Sequence, residues 1–157
     1  MTRTYGSFHR WVKRKLPEKL HQDFDRNWTK NEADLQCFVS YHLRKYLRDN
    51  HGNKWDLKNE KDMRVGRKKI RADIVVTYKD QPRYVLELKN FRRTKRLQIR
   101  AEKDIDRLTT LKTEFQTVNK IYLLYLIRKE DRGKVPKGPC GGRHGKSSFF
   151  FRIPIAV

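Results

Sequence analysis

Cysteine, acid and uninterrupted apolar sequence are all scarce in this chain of 157 residues. The two cysteines, Cys37 and Cys140, have unrelated surroundings and no C-x-x-C pair, which excludes a disulfide framework and a zinc knuckle and fits a reducing compartment. His144 lies near Cys140 in "PCGGRHG", but two donors without a second pair make no zinc site, and a loop is expected there. The longest apolar run, "IYLLYLI", has strand length, far short of the roughly 18–20 residues of a spanning helix, so no membrane partner is expected. The N-terminus "MTRTYGSFHRWVKRKLP" is basic and lacks the long apolar core of a secretion signal, so an intracellular protein, cytoplasmic or nucleoid-associated, is expected. Acids number 18 against 39 Lys plus Arg, a formal net charge of +21. Such an excess draws in polyanions by long-range steering and counterion release, which points to nucleic acid.

What is present suits one α/β domain spanning residues 1–157, a length that buries a core without disulfides. Phe8, Trp11, Val12 and Leu16 recur at helical spacing and predict a short basic amphipathic helix over 7–16. A longer helix follows in "NEADLQCFVSYHLRKYLRDNHG", where Leu35, Phe38, Val39, His42, Leu43, Tyr46 and Leu47 form one stripe. Thr29 and Glu32 match a capping box at its start, and Asn-His-Gly at 50–52 supplies a stop. "KWDLKNEKDMRVG" reads as a polar strand, and "KIRADIVVTY" and "RYVLELKN" as a hairpin around the turn-forming "KDQP". A helix from Gln98 to Phe115, with Ile99, Ile105, Leu108 and Leu111 on one side, leads into the buried strand "KIYLLYLIRK" as a crossover, expected to be right-handed. After a Gly- and Lys-rich loop at 133–148, "SSFFFRIPIAV" adds a strand that Pro154 pushes to an edge. The expected architecture is a mixed central sheet flanked by helices.

Within the apolar hairpin stand Asp73, Glu87 and Lys89, charges that are costly to desolvate unless paired or holding a metal. Glu87 and Lys89 are two apart and share one face of their strand with Val85. Asp73 joins that face only if the hairpin has an odd loop count or a bulge, since a one-residue slip reverses the face. Two carboxylates brought that close resist joint ionisation unless a divalent cation lies between them. Mg²⁺ suits this, with Mn²⁺ as substitute: it takes one or two carboxylates, keeps waters and accepts phosphate oxygens. Such an ion makes a nucleophile of a bound water, and a neighbouring lysine offsets charge developing on phosphorus.

"ADIVV" followed by "VLELK" resembles the signature of the PD-(D/E)xK nucleases, the restriction-endonuclease-like superfamily. The resemblance covers about residues 29–127 and departs at Ala72, where the signature has Pro. It implies a restriction-endonuclease-like core, Asp73 and Glu87 as metal ligands and Lys89 as the catalytic lysine. Many members add a Glu from the preceding helix, which here is Glu32.

Two basic clusters flank these strands: Arg64, Arg67, Lys68, Lys69 and Arg71 on one side, and Arg92, Arg93, Lys95, Arg96 and Arg100 on the other. They suit phosphate-backbone contacts, which position a substrate without reading its sequence. Glu60 is read as a solvated residue rather than a ligand, His42 as half-buried rather than a base, and Lys103 with Asp104 as bordering the site or forming a wet helix face. The expected activity is Mg²⁺-dependent hydrolysis of DNA phosphodiester bonds by an endonuclease. The competing readings are a non-catalytic nucleic-acid-binding protein on the same fold and an RNA-directed nuclease; a homodimer interface is not legible.

Overall fold

The computed structural model describes residues 3–26, 31–91, 97–127, 138–139 and 150–156. Its first helix, α1 (Arg3–Arg26), is longer than the 7–16 expected and runs through Pro17. An interior proline costs a helix about 3 kcal/mol. Leu16, Leu20 and Phe24 are all buried around it, and burial contributes roughly 1.5–3 kcal/mol per large side chain, so packing outweighs the lost hydrogen bond. Helix α2 (Glu32–His51) is capped by Asn31, whose Oδ1 accepts from Asp34 N at 2.8 Å, rather than by the expected Thr29–Glu32 box; Thr29 lies outside the described residues. Asn31 stands immediately before the first helical residue, where its side-chain oxygen reaches an orphan N–H of the first turn. Gly52, at φ 70°, ends the helix.

The strands are β1 (Trp55–Val65), β2 (Lys68–Tyr78), β3 (Gln81–Phe91), β4 (Lys120–Ile127), β5 (Gly138–Pro139) and β6 (Phe150–Ala156), with α3 (Leu97–Glu114) joining β3 to β4. They form one mixed sheet in the order β1-β2-β3-β4-β6-β5. Gly66, at φ 58°, opens the two-residue turn between β1 and β2. The β2–β3 turn is tighter than "KDQP" suggested. Tyr78 pairs with Gln81, and Lys79 and Asp80 take φ of 48° and 62°, the left-handed pair of a type I′ turn. Gln81 and Pro82 therefore belong to β3, and Pro82 adjoins a bulge: Val76 faces Tyr84 and Thr77 faces Pro82, leaving Arg83 as the extra residue. β3, β4 and β6 run parallel, so the crossover expected between β3 and β4 is present. β6 is not the edge strand that Pro154 led one to expect: it lies between β4 and β5, Pro154 pairs with Tyr125 of β4, and among the described residues β5 reaches only Phe151 and Arg152, short of the proline.

Helices cover both faces. α1 and α2 pack on Ile74, Val76, Tyr84, Leu86 and Leu88, while Ile105, Leu108 and Leu111 of α3 pack on Val75, Val85, Leu123 and Tyr125. β4 alternates between these cores and is buried on both sides, which explains its nearly continuous apolar sequence. Among the described residues no helix is long and apolar enough to cross a membrane.

Alternation breaks once in each of the first two strands. Ile70, Ala72 and Val75 face α3, whereas Ile74 and Val76 face the other helices, so β2 turns over at Asp73. β1 does likewise, with Leu57 in one core and Met63 in the other, and the turnover falls at Glu60, at φ 47°. The pairs Asn59–Ile74 and Lys61–Ala72 bracket it, which sets Glu60 across from Asp73. The left-handed backbone at Glu60 thus lies directly beside one carboxylate.

Candidate active site

A two-residue turn alone would set Asp73 opposite Leu86, on the wrong face. The bulge at Arg83 advances β3 by one, and continuing the pair Ile74–Leu86 one step brings Asp73 opposite Glu87. This is the bulge that a shared face requires. Backbone pairing of β2 with β3 stops short of Asp73 and Glu87: Lys68–Ala72 pairs only with β1, and Glu87–Phe91 only with β4. The sheet therefore splits at Asp73 and Glu87.

Side chains satisfy the backbone groups that the split leaves. Asp73 Oδ2 accepts from Leu88 N at 2.7 Å, taking the place of a ladder carbonyl. Gln36 Nε2 of α2 donates to Asp73 O at 3.2 Å, and Arg107 Nη1 of α3 donates to Arg71 O at 3.0 Å. A helix from each layer thereby reaches the notch.

The charges at its apex form a dense cluster. Glu87 is 2% exposed, walled by Leu123, its neighbour on β4. Its Oε1 accepts from Lys89 Nζ at 3.1 Å and from Arg107 Nη2, and its Oε2 is buried with no hydrogen-bond partner. Asp104 of α3 completes the group, 3.7 Å from Lys89 and 3.6 Å from Arg107. Burial lifts the Asp73 carboxyl above its ordinary range despite the Leu88 amide and the two cations. Burial, and then the charge of Asp73, lifts Glu87 likewise. For Lys89 burial acts downward, but Glu87 and Asp104 together outweigh it and the ammonium is held more firmly than usual.

Asp73, Glu87 and Lys89 are thus brought together. Glu32 is exposed at the first turn of α2, and the residue of that helix that reaches Asp73 is Gln36, one turn further on the same side. Glu60 is exposed and paired with Arg71 at 2.7 Å. His42 is half-buried against Asp23 of α1 at 2.5 Å, in the opposite layer from Glu87 and α3. Lys103 is exposed, while Asp104 borders the site. Arg64, Arg67, Lys68, Lys69 and Arg71 are all exposed along the β1–β2 arm, with Lys69 paired to Asp62 at 2.7 Å. Arg92, Arg93, Lys95 and Arg96 lie outside the described residues, as do the side chain of Arg100 and both Cys140 and His144. Sequence reading missed Arg107 and Gln36. Their spacing carried the only signal, Arg107 three residues after Asp104 and Gln36 four after Glu32.

Compared with protein-family models and with curated proteins, the chain matches none.

The donor set fits a hard divalent cation. An orphaned buried oxygen on Glu87 and two carboxylates at facing strand positions are the features such an ion relieves. Among the described residues no group of three or more Asp, Glu, His or Cys is placed to hold a metal ion, so the two facing carboxylates are the donors on offer. Mg²⁺ takes one or two carboxylates and fills its other positions with water and phosphate oxygens.

Proposed function

We propose that the chain is a Mg²⁺-dependent nuclease on a restriction-endonuclease-like fold that hydrolyses DNA phosphodiester bonds within the strand. One observation carries the reading: a bulge and a split in the sheet bring Asp73, Glu87 and Lys89 to one apolar-walled notch. Buried charge assembled at the expense of regular pairing points to function, since a structural ion pair needs neither irregularity.

Asp73 and Glu87 would hold the cation, which when bound supplies an acidified water and polarises the phosphorus centre. Leu88 N fixes Asp73 through Oδ2, so that carboxylate is oriented before any ligand arrives. Lys89, kept charged by Glu87 and Asp104 and 26% exposed, stands where it orients the attacking water or meets charge developing on the phosphate. The basic β1–β2 arm begins directly beyond Asp73, and its outward Arg64, Arg67 and Lys68 suit the flanking phosphates. The phosphate contacts carry no sequence code.

Cleavage of supercoiled plasmid, linear duplex, single-stranded DNA and an RNA control, with Mg²⁺, Mn²⁺ or EDTA, tests this. Metal-dependent nicking of circular DNA supports the proposal; cleavage of RNA alone moves the substrate to RNA. Tight, salt-sensitive binding with no cut in any arm overturns the hydrolytic reading in favour of a binding protein.

A further inference from the structure

Arg107 is the one group of the cluster that the nuclease reading leaves unused. It reaches across the notch from α3 with one nitrogen on Arg71 O at 3.0 Å and the other on Glu87 Oε1, with Asp104 Oδ1 3.6 Å away. It is 34% exposed, so a path to solvent exists for the guanidinium. Asp73, Glu87 and Asp104 set three negative charges against the two positive charges of Lys89 and Arg107, leaving one negative charge in excess. A divalent cation reverses that excess to a single positive charge, matching one phosphodiester. A cation drawn to the orphaned Oε2 of Glu87 would add two positive charges beside a carboxylate whose Oε1 already holds both Lys89 and Arg107, and so would repel the guanidinium.

Resting on the metal-site reading above, we propose that Arg107 is a resident counter-ion of Glu87 that divalent metal displaces, and that the freed guanidinium then binds the substrate phosphate. Its bond to Arg71 O needs only one side of the fork, so the arm stays tethered while the other side turns outward. Arginine suits the second task because its guanidinium carries five N–H donors in one plane, so donors remain for phosphate oxygens while Nη1 stays on Arg71 O. Metal loading and substrate binding are thereby coupled: DNA phosphate finds its arginine only after the cation has released it.

Direct Mn²⁺ binding, read by the electron paramagnetic resonance of the free ion, tests the proposal without reference to activity. Wild type, Arg107→Gln, Arg107→Lys and Glu87→Gln are compared, with Lys103→Gln as a control for loss of a nearby exposed cation. Displacement predicts that Arg107→Gln binds Mn²⁺ about tenfold more tightly, within the usual range of coupling between sites, while Lys103→Gln changes little. Arg107→Lys, which keeps the charge and the packing but cannot span Arg71 O and Glu87 together, falls between and guards against a misfolded glutamine variant. Those same Arg107 variants should lose the dependence of Mn²⁺ affinity on added oligonucleotide. Unchanged or weaker Mn²⁺ binding in both Arg107 variants overturns the counter-ion role. If Glu87→Gln keeps full Mn²⁺ binding, the metal site itself is wrong, a different failure from that of Arg107.

Discussion

Glu87→Gln, studied without divalent metal, separates a carboxylate placed for chemistry from one placed for stability. As a structural ion pair, Glu87 would leave two half-buried cations uncompensated on substitution, at the roughly 3–5 kcal/mol typical of a broken buried pair. Lys89 and Arg107, however, both keep Asp104, at 3.7 and 3.6 Å. Against the wild type stand the 2% exposure of Glu87, the unpartnered Oε2 and the carboxylate of Asp73. Directly opposed strand positions lie about 5 Å apart. Two like charges at that separation repel by roughly 3 kcal/mol at an effective dielectric of 20. Lys89 and Arg107 offset most of this repulsion, but burial and Asp73 still raise the Glu87 carboxyl above its ordinary range. Gln supplies a neutral form of the same shape. The variant should therefore gain about 1 kcal/mol in EDTA, the range of relieved active-site strain. For a chain of this size that raises Tm by about 2–4 °C. Differential scanning calorimetry in EDTA and in Mg²⁺ measures it, and Mg²⁺ should raise the melting temperature of the wild type alone. A loss of 3 kcal/mol or more would return Glu87 to the role of a structural ion pair and refute the reasoning.

The same imbalance has a pH signature. Burial raises both Asp73 and Glu87 above their ordinary values of 3.8 and 4.5, so folding takes up protons; their favourable contribution is complete below those values and fades as pH rises through the folded ones. In EDTA an Asp73→Asn/Glu87→Gln variant should gain on wild type as pH rises from about 4 to 8, by denaturant titration; a lead that shrinks with pH contradicts this. Removing Arg67 and Lys68 should flatten the salt dependence of DNA binding, the log–log slope falling by about 0.9 for each phosphate no longer neutralised, with no change in metal binding. Asp80→Gly relieves a left-handed residue in a type I′ turn and forfeits only an exposed 3.5 Å pair with Lys58, so it should stabilise by roughly 0.5–1 kcal/mol in urea titration.

Periodicity disclosed the elements whose burial is one-sided or complete. The α2 stripe, the α3 stripe and the apolar β4 follow from Leu35–Leu47, Ile105–Leu111 and "IYLLYLI", because each lies wholly against a core. The end of α1 was hidden by Pro17, which local propensity reads as a stop and which the burial of Leu20 and Phe24 overrides. The placement of Asp73 on the Glu87 face could be stated only as a condition. Arg83 satisfies it, and Pro82 beside it was the available clue, since proline in a paired strand favours a bulge. The turnover at Glu60 and Asp73 left no such mark. Arg107 and Gln36 were harder to see for another reason: helical spacing sets them on the faces of Asp104 and Glu32, but they act across the split, through contacts fixed by how α2 and α3 lie over it.

Single-turnover hydrolysis of end-labelled DNA, with enzyme in excess and Mg²⁺ present, shows whether Glu87 and Lys89 act in phosphodiester cleavage when wild type is set beside Glu87→Gln and Lys89→Ala at equal DNA occupancy. Removal of a group that meets transition-state charge costs about 10²–10³ in rate. The account predicts at least that loss in each variant, with DNA affinity changed less than about threefold, as expected where phosphate contacts elsewhere carry the binding. Wild-type rates in either variant, or DNA affinity that falls in step with the rate, would contradict it.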